Sequence, residues 1–198
     1  RLLFEQFAKL PEGDLSRLAK AEADGIRSIT IVHYRNNEIG DIQTAAAENG
    51  GLTEFGEEAI REMTRLGMIV DVAHAAESTA RKAVEVAERP VLCSHTHLSN
   101  QAVQHPRFIS ASLAQAIVER GGVIGAWPAG IGITTLSQFV DRIFALAGTL
   151  GPDHVALGTD MDANYKPVMD NYRQLPLVVS ELLRRGMGEA ETVKFLSG

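Results

Sequence analysis

One pattern repeats along the chain and limits what it can fold into: an amphipathic helical stretch, a glycine, a short apolar β-branched run, then a polar residue. Five such runs occur: Ile26–His33 (IRSITIVH), Met68–His74 (MIVDVAH), Pro90–His95 (PVLCSH), Gly122–Trp127 (GVIGAW) and His154–Asp160 (HVALGTD). Helical periodicity occupies Asp14–Ala23, Glu54–Leu66, Glu77–Glu88, Ser110–Arg120 and Leu136–Leu146, and returns at Leu175–Arg185 and Glu189–Leu196. Gly25, Gly67, Gly121 and Gly186 stand where a left-handed residue would end a helix, and Thr53 and Ser110 where a side chain would cap one. Strands alternating with helices at short intervals imply an α/β fold of parallel strands, joined by right-handed crossovers and buried on both faces. No Pro/Gly/Ser-rich linker or charge block interrupts the pattern, so residues 1–198 read as a single domain. The longest connection without a period is Arg35–Thr53, a length usually kept for function.

Charge narrows the partners. Nineteen Lys+Arg against 25 Asp+Glu give a formal charge of −6. With no basic run to compensate, that balance argues against nucleic acid and against an anionic membrane surface. The one cysteine, Cys93, cannot form an intramolecular disulfide and reads as a small buried hydrophobe. No apolar stretch is long enough for a transmembrane helix, and the first residues lack the plan of a secretory signal. The chain starts at Arg1 rather than Met, so its compartment stays open.

The residues that end the strands carry the chemistry. His33, His74, His95 and Asp160 each fall at the C-terminal end of an expected parallel strand, the edge where α/β folds build active sites. Imidazoles with a carboxylate suit a zinc-type hydrolytic site, in which a bound metal activates water and polarises a carbonyl. Other polar residues are less specific. His97 and His105 lie in the loop after the third run as supporting or exposed residues, with His97 read as a bystander. His154 opens a strand, which places it at the opposite, stabilising face. Asp71 lies inside an apolar strand and needs a partner, either a ligand histidine or a backbone or arginine group. Asp162 is the other candidate to orient a ligand histidine. Gly130-Ile131-Gly132 does not complete a dinucleotide fingerprint, and no nucleophile elbow, Walker loop or H-E-x-x-H is present.

Taken in order, GIRSITIVHYRNNEIGD (Gly25–Asp41), GLTEFGEEAIREMTRLGMIVDVAH (Gly51–His74), RPVLCSHTH (Arg89–His97), HPR (His105–Arg107) and ALGTDMD (Ala156–Asp162) resemble the renal or membrane dipeptidases. These are zinc peptidases of the amidohydrolase-like barrel group. The resemblance implies a (β/α)8 barrel of TIM type, of which this chain supplies about the last five βα units, with the N-terminal strands missing. It implies a metallodipeptidase in which a metal-held hydroxide attacks a peptide carbonyl, with two Zn2+ in a complete site. His74 and His95 match one zinc's ligands, and Glu5, 28 residues before His33, takes the place of the glutamate that bridges both metals. His33 matches the residue that stabilises the oxyanion, Arg107 the one that holds the dipeptide's terminal carboxylate, and Asp160 the one that moves the proton to the leaving amine. The His-x-Asp that binds the family's other zinc does not precede His33 here. Expected partners are therefore a small dipeptide and, as the resemblance allows, a second copy of the chain as a homodimer. The rival readings are a related barrel hydrolase acting on a lactone, cyclic amide or phosphoester, which would not need Arg107, and an inactive fragment with half a metal site.

Overall fold

The computed structural model describes residues 14–100, 103–161 and 165–197. Five parallel strands follow in the order β1-β2-β3-β4-β5, namely Ser28–Thr30, Ile69–Asp71, Leu92–Thr96, Val123–Ala126 and Val155–Leu157. Helices α1 (Ser16–Ala23), α2 (Glu54–Arg65), α3 (Glu77–Val86), α4 (Ala111–Glu119), α5 (Leu136–Leu150), α6 (Leu175–Arg184) and α7 (Glu189–Ser197) fill the intervals. This is the α/β arrangement expected from the repeated pattern, with five βα units of the (β/α)8 barrel type. No helix among the described residues is long and apolar enough to cross a membrane.

The chain forms two compact units, Arg1–Cys93 with Gln115–Gly122 and Ser94–Ala114 with Val123–Gly198. In the first unit, β1 pairs with β2 through Ser28↔Ile69, Ile29↔Val70 and Thr30↔Asp71. The ladder reaches the start of β3 through Asp71↔Leu92, with Val72 N–H donating to the Leu92 carbonyl at 2.8 Å. Helix α2 buries Gly56, Ala59, Ile60, Met63 and Thr64, the i, i+3, i+4, i+7, i+8 stripe of a helix lying on a core. Ile60 and Met63 are almost wholly removed from water, worth roughly 1.5–3 kcal/mol each as an upper bound. Thr53 caps α2 by accepting the Gly56 N–H at 2.9 Å.

In the second unit β4 pairs with β5 through Ile124↔Val155, Gly125↔Ala156 and Ala126↔Leu157. Its core is built from Phe139, Val140, Ile143 and Leu146 of α5, with Val178 and Leu182 of α6, Phe195 of α7 and Met169. Helix α5 starts on a Thr135–Gln138 capping box and runs past the expected Leu146 to Leu150. The helix tolerates Gly148 in its last turn and stops at Gly151, at φ +88°, and Pro152. Ser110 caps α4 by accepting the Leu113 N–H at 3.1 Å. Gly25, Gly67, Gly121 and Gly186 all take the positive φ expected of helix-ending residues.

Gly125 and Gly158 have a different task. A Cβ on either would collide with the Ser94 carbonyl, and each glycine's Cα lies 2.9 Å from where the other's Cβ would stand. Only hydrogen fits at that approach of three backbones, so both positions demand glycine. Gly158 immediately precedes Thr159-Asp160.

Candidate active site

His33 and His74 belong to the first unit. β1 ends at Thr30 and the chain turns through Ile31 and Val32, both buried, to a half-buried His33. The His33 ring lies 4.3 Å from the His74 ring, centroid to centroid, and 3.9 Å from that of Tyr34. His74 is buried and holds a left-handed backbone, φ +69°. Such a conformation costs a non-glycine residue about 1–3 kcal/mol and persists only where surrounding structure imposes it. Here the imposing structure is the Arg35–Thr53 connection. Ile42 bridges to Ala75, Gln43 N–H donates to the His74 carbonyl at 2.9 Å, and Ala76 N–H donates to the Asp41 carbonyl at 2.9 Å.

That connection is organised by Asp41, which sequence reasoning passed over. Its fully buried carboxylate accepts backbone N–H groups from Glu48, Asn49 and Gly51 at 2.8–3.2 Å and the Asn49 side-chain amide at 3.0 Å. Burial pushes the carboxyl upward, but the donors outweigh it and hold the group below the ordinary aspartate range. Asp71 accepts Thr30 Oγ1–H at 2.7 Å and Ala73 N–H at 3.0 Å.

His95, Arg107 and Asp160 belong to the second unit, where they lie together. His95 is on β3 and buried. Its Nε2 is 2.8 Å from Arg107 Nη2 and 3.6 Å from Asp160 Oδ2, and its Nδ1 is 2.9 Å from Ser94 Oγ. A guanidinium only donates, so Nε2 is the accepting, unprotonated nitrogen, and Nδ1–H faces Ser94. Asp160 also carries a left-handed backbone, φ +45°. The loop holding Arg107 is pinned back to the strand: its carbonyl accepts Thr96 Oγ1 at 2.9 Å, and its N–H donates to His105 Nδ1 at 3.2 Å.

Trp127, at the end of β4, completes this group and was not foreseen. The Arg107 guanidinium lies 5.0 Å from its ring centre, and the His95 ring meets it edge-on at 5.5 Å. It heads a small apolar cluster with Phe108 and Ala129. The signal for it in the sequence was weak: a lone tryptophan closing the one run that ends in no histidine or aspartate.

Other expectations resolve individually. His97 is buried rather than exposed, packing edge-on against Phe108 at 5.4 Å. Burial, reinforced by the charge of Arg142, lowers its pKa to about 4. His105 is half-buried, its pKa lowered by burial and then by Arg107. His154 ends a one-turn helix just before β5, at the far end of that strand from Asp160. Cys93 is buried, as its chemistry suggested. Glu5 and Asp162 lie outside the described residues.

Among the described residues no three His, Cys, Asp or Glu groups gather as a metal would need. The lone pair of His95 Nε2 beside the Asp160 carboxylate is nonetheless a pair of donors that attracts a cation, and Arg107 supplies one. The described residues thus fit a share of a metal site.

Residues 5–198 match the sequence profile of one family, described as membrane dipeptidase (peptidase family M19). The chain belongs to that family. Among curated M19 relatives it is similar to dipeptidase verJ of Clonostachys rogersoniana, 28% identical over 172 residues, covering 83% of this chain and 44% of the relative. The chain spans less than half the length of that relative. Among solved structures it is similar to the probable dipeptidase PvdM of Pseudomonas aeruginosa, with TM-score 0.84 and 20% identity over 93% of this chain and 63% of that one. It is also similar to a metallopeptidase of Rhodobacter sphaeroides liganded with a phosphinate mimic of L-Ala-D-Ala, with TM-score 0.80 and 23% identity over 90% and 55%. At those identities the structural likeness speaks to the fold alone.

Proposed function

We propose that the whole protein is a zinc-dependent dipeptidase, hydrolysing the peptide bond of small dipeptides. The observation that carries this reading is the group formed around His95, whose Nε2 lies 2.8 Å from the Arg107 guanidinium and 3.6 Å from the Asp160 carboxylate. Membership of the M19 family and the liganded neighbour's dipeptide mimic support it.

His74 and His95 would hold metal, each through its imidazole. A bound zinc supplies water activated at neutral pH, its pKa brought to about 7, and polarises the carbonyl. The remaining work falls to the chain's own side chains. Arg107 presents planar N–H donors suited to a dipeptide's terminal carboxylate, and Trp127 beneath it limits the directions the guanidinium can take. Asp160, near His95 Nε2, takes a proton from the attacking water and delivers it to the leaving amine. His33 donates a hydrogen bond to the oxygen on which charge develops. Ser94 fixes His95 in the tautomer whose Nε2 carries the lone pair, the one Arg107 Nη2 donates to here.

The test uses the protein in its natural full length. Zinc per chain is measured, and a panel of dipeptides is assayed with and without chelator. Cleavage that tracks zinc content is the expected result, and cleavage indifferent to chelation would overturn the mechanism.

A further inference from the structure

Helix α5 carries one charged residue among the apolar side chains of its buried face, Arg142, which is only 6% exposed. The guanidinium donates to the Ala129 carbonyl at 3.4 Å and to the Ile131 carbonyl, and lies 5.2 Å from the Phe108 ring centre. Two carbonyls satisfy part of its five N–H groups and none of its charge. Among the described residues no carboxylate pairs with it: neighbouring Asp141 is engaged by Arg185 at 2.5 Å. Burial alone pulls the Arg142 pKa down to about 10, the mark of a cation held without a counter-charge.

A cavity of about 250 Å3 opens beside it, lined by Arg142, His97, Gln138 and Ala145 among others. His97 is buried and its Nδ1 has no hydrogen-bond partner among the described residues. Gln138 turns its carbonyl oxygen to the N–H groups of Thr134 and Thr135, at 2.8 and 3.2 Å, which leaves its NH2 as the group it can offer a ligand. The walls therefore present guanidinium, amide and imidazole nitrogens, and the one carboxylate on the rim is already paired. Donors and an uncompensated positive charge, in a space below the usual drug-sized range, suit a small ion with several acceptor oxygens. We infer that this cavity binds a small oxyanion, a carboxylate or inorganic phosphate, held by Arg142 with His97 and Gln138. An anion there supplies the counter-charge that Arg142 lacks.

Thermal unfolding of the full-length protein is followed in sodium acetate and, separately, sodium phosphate, each at constant ionic strength against sodium chloride. A ligand of the folded state raises the melting temperature with its concentration and saturates the site. The wild type is expected to respond to acetate, to phosphate or to both beyond chloride, and the arm that responds identifies the anion. Arg142→Gln is expected to weaken the response by about tenfold in affinity or more, as loss of a charged hydrogen-bond donor does. Ala145→Glu tests the site independently of that buried change. Its carboxylate, one turn from Arg142 on the same helix face, occupies the place of the anion. That variant should melt higher than wild type in chloride and lose its response to acetate and phosphate. No response beyond chloride in the wild type, or a response undiminished in Ala145→Glu, would overturn the site.

Discussion

Arg107 Nη2 donates to His95 Nε2 across 2.8 Å, which ties the proposed substrate clamp directly to a proposed metal ligand. The arginine is held from below by Trp127 and from behind by its own backbone contacts with Thr96 and His105. Arg107→Ala is therefore expected to cost roughly 2–5 kcal/mol in kcat/KM for dipeptides, the range for truncating one partner of a charge pair that the bound substrate would bury. Dipeptide methyl esters, which lack the terminal carboxylate, should lose much less. Arg107→Lys should restore little, because an ammonium cannot reproduce the planar fork. Equal losses on dipeptides and their esters would remove the carboxylate-binding role.

Trp127 can be separated from Arg107 by substitution. Trp127→Phe keeps an aromatic face of lower quadrupole and should leave the fold intact, with KM raised by the part of a cation–π contact of about 0.5–2 kcal/mol that is lost. Trp127→Ala opens a cavity in the Phe108–Trp127–Ala129 cluster and should destabilise by about 3–5 kcal/mol. Melting temperature and steady-state kinetics on the two variants check both parts. A Trp127→Phe enzyme with unchanged KM would make the ring a packing residue only.

The elements were legible because their signals are local. The stripe of α2, the left-handed glycines and the caps at Thr53 and Ser110 depend on residues within one turn of each other, and all appear where the period placed them. His33, His74, His95 and Asp160 could be picked out because strand ends are readable from the same periodicity. Asp41, Trp127 and Arg142 could not. Asp41 matters through N–H groups seven to ten residues ahead, presented only when the loop closes. Arg142 is buried by partners from the β4–α5 connection and from Phe108, so its charge gave no sign that it faces inward. His97 was misjudged as an exposed bystander for the same reason: the Phe108 ring that covers it arrives from the far end of the loop.

The left-handed backbone at His74 predicts how that position tolerates change. Asparagine adopts positive φ more readily than most residues, so His74→Asn should melt close to the wild type while losing bound zinc and turnover. His74→Val places a β-branched side chain in the same conformation and should lose a further 1–3 kcal/mol of stability, roughly the strain of a forced backbone. His154→Ala serves as the control, altering stability alone. Zinc analysis, turnover and melting temperature on the three variants test this. Full zinc content in a folded His74→Asn protein would remove His74 from the ligand set.

Asp41 sets a pH dependence whose sign follows from its hydrogen bonds. Its folded pKa lies below the ordinary carboxyl value because backbone and amide N–H groups favour the charged form more than burial opposes it. The unfolded chain then binds the proton first as pH falls, so Asp41 contributes stability that is fully present above about pH 4, its unfolded value, and is lost as pH drops through the folded pKa. Asp41→Asn keeps the shape but turns an NH2 toward backbone donors, which should cost about 1–3 kcal/mol for the unmet groups. It should also flatten the acid limb of the stability curve, since the variant has no charge to lose at that site. Because the loop it closes carries Gln43 to the His74 carbonyl, the loss should extend to zinc affinity. Denaturant unfolding between pH 3 and 7, with zinc binding measured at pH 7, decides the matter. An Asp41→Asn protein with an acid limb as steep as the wild type would mean that other carboxylates set it.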